Sequence, residues 1–145
     1  MSNNENKLRP FHLAFPVTDL DKAKDWYINV LGCSLGRESD EWVDFNMFGH
    51  QVVAHLVDNN DNVSVNTVDG DCVPSRHFGV ILIPSDWEIL VNRLNSLEVD
   101  YLIKPHTRFE GLEGEQSTLF IKDPSGNTLE FKSFSNDSSI FSTRS

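Results

Sequence analysis

One order of elements occurs twice along this sequence: a short apolar strand, an amphipathic helix, then three more strands. Setting His12 on His77, an offset of 77 − 12 = 65, lays HLAFPVTDLD over HFGVILIPSD and puts Asp21 on Asp86. This repeat restricts the fold more than any single motif. One half alone makes an incomplete sheet with a single helix, so the halves must bury their apolar faces together. The expected architecture is α+β: two paired βαβββ modules forming a curved, mostly antiparallel sheet around a metal-binding cleft.

The first module is expected over 10–57 and the second over 77–134. The polar segment 58–76 reads as a linker, long enough to join two units or carry function. Residues 1–9 read as a disordered lead and the Ser-rich 135–145 as a flexible tail. Thr18 or Asp19 can cap the first helix and Gly32 can stop it, while Pro84, Ser85 and Asp86 mark the start of the second. Trp42, Phe45 and Phe48 read as core or dimer contacts.

Charge narrows the partners. A net charge of −10 opposes binding to nucleic acid or an anionic membrane, both of which reward a basic patch. No stretch reaches the roughly 20 apolar residues of a membrane helix, and the polar start MSNNENKLRP lacks the apolar core of a signal peptide. Cys33 and Cys72 form no C-x-x-C pattern and read as free thiols in a reducing cytoplasm.

Side-chain parity selects the candidate site. Successive strand residues point to opposite faces. His12 then shares a face with Ala14 and Pro16, while Leu13, Phe15 and Val17 pack. His77 shares a face with Gly79, and Glu130 shares one with Thr128 and Lys132. His55 shares a face with Gln51 and Val53. A carboxylate such as Glu130 in an inward-facing strand is costly unless paired or bound to a cation. Each histidine alone would read as a core or surface residue. Two at equivalent points of a repeat, with a glutamate on the last strand, can hold Fe, Mn, Co, Ni or Zn. His50 and His106 read as structural or solvent-facing.

Paired modules, His12 on the first strand, His77 on the fifth and DPSGNTLEF around Glu130 resemble the vicinal oxygen chelate superfamily over about residues 10–134. That superfamily includes glyoxalase I, extradiol dioxygenases, methylmalonyl-CoA epimerase and the bleomycin- and fosfomycin-resistance proteins. The resemblance implies a metal triad of His12, His77 and Glu130. It also implies that VVAHL occupies the strand that gives glyoxalase-like members a fourth ligand. His55 is then either that ligand or an acid–base catalytic residue, and histidine there departs from the glyoxalase pattern. Family members are commonly dimers, so a homodimer is expected.

Two reactions follow from this resemblance. Extradiol-type ring cleavage uses Fe(II), or Mn(II), with open positions for a catechol-like substrate and O2. A histidine nearby suits proton transfer. A glyoxalase-like lyase or isomerase would use Ni, Co or Zn as a Lewis acid, with His55 as a ligand. The first reading is preferred. Non-catalytic small-molecule binding is the third. Arg108, Phe109 and Gln116 are the substrate-binding candidates, and EGLEGEQ is a candidate flap.

Overall fold

The computed structural model describes residues 8–59, 65–68 and 70–143. The first module runs β1 (His12–Val17), α1 (Leu20–Asn29), β2 (Ser34–Glu38), β3 (Trp42–Met47) and β4 (His50–Leu56). Its sheet has the order β1-β4-β3-β2. β1 lies parallel to β4, and the other pairs are antiparallel. β1 alternates as parity predicts. Phe15 and Val17 are buried and Leu13 is half-buried, whereas His12 and Ala14 are exposed.

The segment read as a linker contains a hairpin, β5 (Val65–Val68) and β6 (Asp71–Pro74). The second module follows with α2 (Pro84–Ser96), β7 (Tyr101–Arg108), β8 (Gln116–Lys122) and β9 (Thr128–Phe134). Its sheet has the order β7-β8-β9. Residues 78–82 run parallel along the free side of β9, bridging Phe78 to Leu129 and Ile81 to Lys132. This segment was expected as a regular strand. It is extended but touches β9 only at intervals, through bonds such as Glu130 N–H to the Phe78 carbonyl at 2.8 Å and Leu82 N–H to the Lys132 carbonyl at 2.7 Å.

Both modules share one apolar core. Phe15, Tyr27 and Phe45 from the first meet Leu94, Ile121, Leu129 and Phe131 from the second. Phe15 stacks near Phe78 with ring centroids 5.1 Å apart. Polar contacts join the modules too. Asp19 caps α1 by accepting from Lys22 N–H. At the other end of α1, Arg93 of α2 donates to the carbonyls of Asn29 and Val30, at 2.9 and 3.0 Å. Those are terminal carbonyls with no partner inside the helix, and a cation there also opposes the helix dipole.

The DPSGN turn is a clamp. Asp123 is 5% exposed. One oxygen accepts from the backbone N–H groups of Ser125 and Asn127. The other accepts from the Tyr27 hydroxyl at 2.8 Å and from the Asn127 side chain. The same Asn127 amide donates to the Pro16 carbonyl at 2.7 Å, so the turn ties β9 to α1 and β1. Burial, then the Asp123 charge, push the Tyr27 phenol well above its usual range, so it stays a donor. Asp123→Ala strands that buried hydroxyl and frees two amides. We expect a loss of about 2–3 kcal/mol, seen as a melting midpoint lower by roughly 10 °C. A midpoint within 2–3 °C of wild type would contradict the clamp.

Beyond β9, Ser139 is buried and its hydroxyl donates to the Glu113 carbonyl at 2.6 Å. The candidate flap is tied as well. Glu115 accepts from the Ser135 hydroxyl and then from Gly111 N–H, which lower its carboxyl below the usual range. Both cysteines are free thiols. Cys72 is exposed, and burial pushes the Cys33 thiol up to about 12.

Candidate metal centre

Glu130 lies mid-strand in β9 between Leu129 and Phe131, both fully buried in the core. Strand alternation turns its carboxylate to the other face. There Glu130 Oε1 stands 3.2 Å from His77 Nε2. The Pro74 carbonyl, at the end of β6, lies 2.8 Å from His77 Nδ1. A carbonyl only accepts, so Nδ1 carries the proton and Nε2 points a lone pair at the carboxylate. Two acceptors facing each other need a proton or a metal ion between them. Two donors at right angles on an ion with bonds of about 2.1 Å stand about 3.0 Å apart. The pair therefore fits a divalent metal.

Both groups are held from behind. The Thr118 hydroxyl, buried in β8, donates to Glu130 Oε2 at 2.5 Å, and the His77 ring rests edge-on against Phe120. Such contacts fix ligand orientation, and losing one typically costs 10–100-fold in metal affinity. Thr118→Val keeps the shape and removes the donor. We expect metal binding to weaken by about tenfold or more, measured by competition with a chelating dye. Unchanged affinity would exclude an orienting role for Thr118.

Close packing of backbone brings the pair together. Residues 78–82 lie so near β9 that a Cβ on Gly79 would overlap the Glu130 carbonyl. Only glycine fits there.

His12 stands elsewhere. It is exposed on β1, and its Nδ1 lies 2.8 Å from Gln51 Oε1, with Nε2 the other ring nitrogen. Among the described residues, no three His, Cys, Asp or Glu side chains come together as a metal site. A single chain thus unites two of the three expected ligands. β1 ends its sheet, with one side paired to β4 and the other unpaired in the sheet order.

The register assigns the module counterparts. β1 and β4 pair His12 with Gln51, Ala14 with Val53 and Pro16 with His55. In the second module, Phe78 opposite Leu129 places Gly79 beside Glu130, and Ile81 lies opposite Lys132. With His12 set on His77, the counterpart of Glu130 is Val53, and His55 corresponds to Lys132. The offset there is 130 − 53 = 77 rather than 65, because the connections between strands differ in length. His55 is exposed on β4, directly opposite Trp42 of β3.

A cleft of about 190 Å³ opens over His77 and Glu130. Arg108 lines it, and its guanidinium also stacks over Phe109 at 4.8 Å from the ring centroid. Phe109 is partly exposed, with φ of 55°. Gln116 is the cross-strand partner of Arg108, and its amide donates to the Gly114 carbonyl. Its Oε1 is buried with no hydrogen-bond partner among the described residues.

His106, read from sequence as structural or solvent-facing, also lines this cleft. On β8, Phe120 and Thr118 are two residues apart. Their partners on β7, Ile103 and His106, are three apart. The extra residue is a bulge, which turns His106 and Arg108 to the face that Ile103 occupies. Pro105 inside that interval was the available signal, since proline within a sheet is confined to edges and bulges.

Comparison with known proteins agrees with this architecture. The profile of the Glyoxalase/Bleomycin resistance protein/Dioxygenase superfamily matches residues 9–131. A glyoxalase/bleomycin resistance protein/dioxygenase from Alicyclobacillus acidocaldarius is 34% identical, with a TM-score of 0.80 over 94% of this chain and 99% of that one. The fosfomycin resistance protein FosX from Listeria monocytogenes, solved with Mn(II) and sulfate, has the same fold at 15% identity. Its TM-score is 0.65, over 88% of this chain and 91% of that one. An integron cassette protein from the mobile metagenome of Halifax Harbour Sewage Outfall is 23% identical, with a TM-score of 0.62 over 86% of this chain and 97% of that one. No curated protein sequence matches the chain.

Proposed function

Because this chain belongs to the Glyoxalase/Bleomycin resistance protein/Dioxygenase superfamily, we propose that it is a divalent-metal enzyme acting on a small molecule with two vicinal oxygens. The observation that carries this reading is the His77–Glu130 pair, two metal-type donors held 3.2 Å apart. His77 and Glu130 of one chain are two ligands. His12 of a second copy is the third, carried on an edge strand with Nδ1 already engaged by Gln51. The enzyme is accordingly a homodimer whose sites need both chains.

When bound, the ion supplies Lewis acidity and a binding place for the substrate's two oxygens. Val53, at the place of a fourth ligand, has no donor to offer. Three protein donors leave room for a bidentate substrate and one small co-reactant, which favours extradiol-type cleavage of a catechol-like substrate over a four-ligand glyoxalase-like lyase. Fe(II) or Mn(II) suits that chemistry, and the Mn(II) in FosX is in keeping with such an ion on this fold. The chain's own residues do the rest. Pro74 and Thr118 hold the ligands. Val73, Ile103 and Phe120 give the cleft an apolar wall. His106 has Nδ1 engaged with the Lys104 carbonyl at 3.0 Å, which leaves Nε2 to take or return a proton. His55 is the second candidate for that step.

Oxygen uptake by Fe(II)-loaded protein across a panel of catechols tests the proposal. Uptake with ring-opened product, abolished in His77→Ala, is the expected result. Turnover of thiol–aldehyde adducts with Ni(II), Co(II) or Zn(II), and none of catechols, would replace it with the lyase. Tight ligand binding without product would replace it with a binding module.

A further inference from the structure

We propose that His50 and Gln51 are the residues that position His12 for the metal. His50 clamps the backbone just before His12, and Gln51 holds its ring. This rests on the reading of His12 as a ligand and adds what presents it.

The core does not hold this end of β1. His12 is exposed, Phe11 before it is 65% exposed, and Leu13 after it is only half-buried. A ligand carried on such an end is mobile unless polar contacts fix it. Among the described residues, the contacts made by Phe11 and His12 come from the start of β4. Gln51 N–H donates to the Phe11 carbonyl at 2.9 Å. Phe11 N–H donates to His50 Nδ1 at 2.8 Å, and Gln51 Oε1 meets His12 Nδ1 at 2.8 Å.

The His50 ring stands in for backbone. In a regular parallel ladder the Phe11 N–H would reach the carbonyl two residues before Gln51, that of Gly49. Gly49 belongs instead to the tight turn between β3 and β4, with φ of 91° after 52° at Phe48. The ladder stops there, and His50 Nδ1 takes the N–H. The turn is itself anchored. Gly49 N–H donates to Asn46 Oδ1 at 2.8 Å. Phe48 packs edge-on against Phe131, the neighbour of Glu130 in β9, with centroids 5.8 Å apart. A phenylalanine with positive φ is a strained choice, offset here by that contact.

The two side chains fix different things. The bond from Phe11 sets where the His12 backbone lies, and the Gln51 contact limits the rotation of its ring. Pro74 and Phe120 do the equivalent at His77. Both requirements are for an acceptor or partner atom at one place, not for bulk.

Mn(II) affinity, by competition with a chelating dye, is measured for wild type and for variants at this corner, with melting midpoints confirming that each is folded. His50→Leu and Gln51→Leu should each weaken binding by about tenfold or more. His50→Asn, whose Oδ1 replaces Nδ1 as acceptor, and Gln51→Glu, which keeps an oxygen in place, should recover it. Mixing separates positioning of His12 from a general structural role. It uses a Mn(II) concentration that fills wild type but not His50→Leu, in mixtures shown to exchange subunits. His50→Leu with Glu130→Ala should regain metal, because one site then takes His77 and Glu130 from the first chain and His12 beside an intact His50 from the second. His50→Leu with His12→Ala should not, because both defects fall on the same ligand. Folded His50→Leu and Gln51→Leu that bind Mn(II) as wild type does overturn the inference and leave the metal reading standing. So does recovery with His12→Ala but not with Glu130→Ala. If His12→Ala with Glu130→Ala also fails to recover, the shared site is refuted, and the affinities of His50→Leu and His50→Asn decide the positioning. No Mn(II) uptake by wild type refutes the metal reading, and the inference with it.

Discussion

Glu130→Ala should yield a folded chain that retains no divalent metal and turns nothing over, and His77→Ala should do the same. Neither side chain is part of the core. Glu130 shares its strand with core residues on both sides, but its carboxylate belongs to the opposite face, where its partners are His77, Thr118 and Lys132. Truncation leaves the buried Thr118 hydroxyl without its acceptor, so stability should fall by about 1–3 kcal/mol with the chain still folded. Metal binding should suffer far more than the 10–100-fold typical of an outer contact, because a direct donor is gone. Metal analysis beside a thermal melt checks both halves. A folded variant with full metal would end the assignment of Glu130 as a ligand. A variant that melts much earlier with no metal in the wild type would mean that His77 and Glu130 are a structural ion pair.

Gly79→Ala should cost about 3 kcal/mol or more, and it should weaken metal binding although residue 79 donates no ligand. The added methyl would meet the carbonyl of Glu130, which is backbone and cannot rotate aside. Either residues 78–82 or β9 must move, and that separates His77 from Glu130. The Ala14→Gly exchange at the first-module counterpart is the control. Alanine is accommodated beside Val53 in a regular parallel ladder, so that change should cost under about 1 kcal/mol. Chemical denaturation and metal affinity of both variants give the comparison. Equal, small effects would mean that the close approach at Gly79 is relaxed in solution.

Alternation and repetition made much of this protein legible. Counting by twos along HLAFPV put Phe15 and Val17 in the core and His12 outside it. The same count along TLEFKSF put Glu130 on the face opposite Leu129 and Phe131. The repeat gave the two modules and paired His12 with His77. Where counting failed, the cause was a break in regular geometry. A bulge shifts the phase of β7, so His106 joined the cleft unannounced while Arg108 was picked on chemistry alone. Unequal connections shift the modules against each other, so the counterpart of Glu130 fell on Val53, two residues before His55. The hairpin inside 58–76 pairs two strands of four residues each, too short for hydrophobic patterning to report. The separation of His12 from the pair is tertiary, and no local pattern encodes which faces of two modules meet.

The central claim is that each metal site takes His77 and Glu130 from one chain and His12 from another. Mixing His12→Ala chains with Glu130→Ala chains tests it most directly. Each variant alone carries a defect in every site and should bind essentially no metal. A mixed dimer has one site with both defects and one with neither, so metal and activity should return to the mixture, to about one site per mixed dimer. No recovery in mixtures shown to exchange subunits, with metal retained by His12→Ala alone, would contradict the shared site and place all the ligands within one chain.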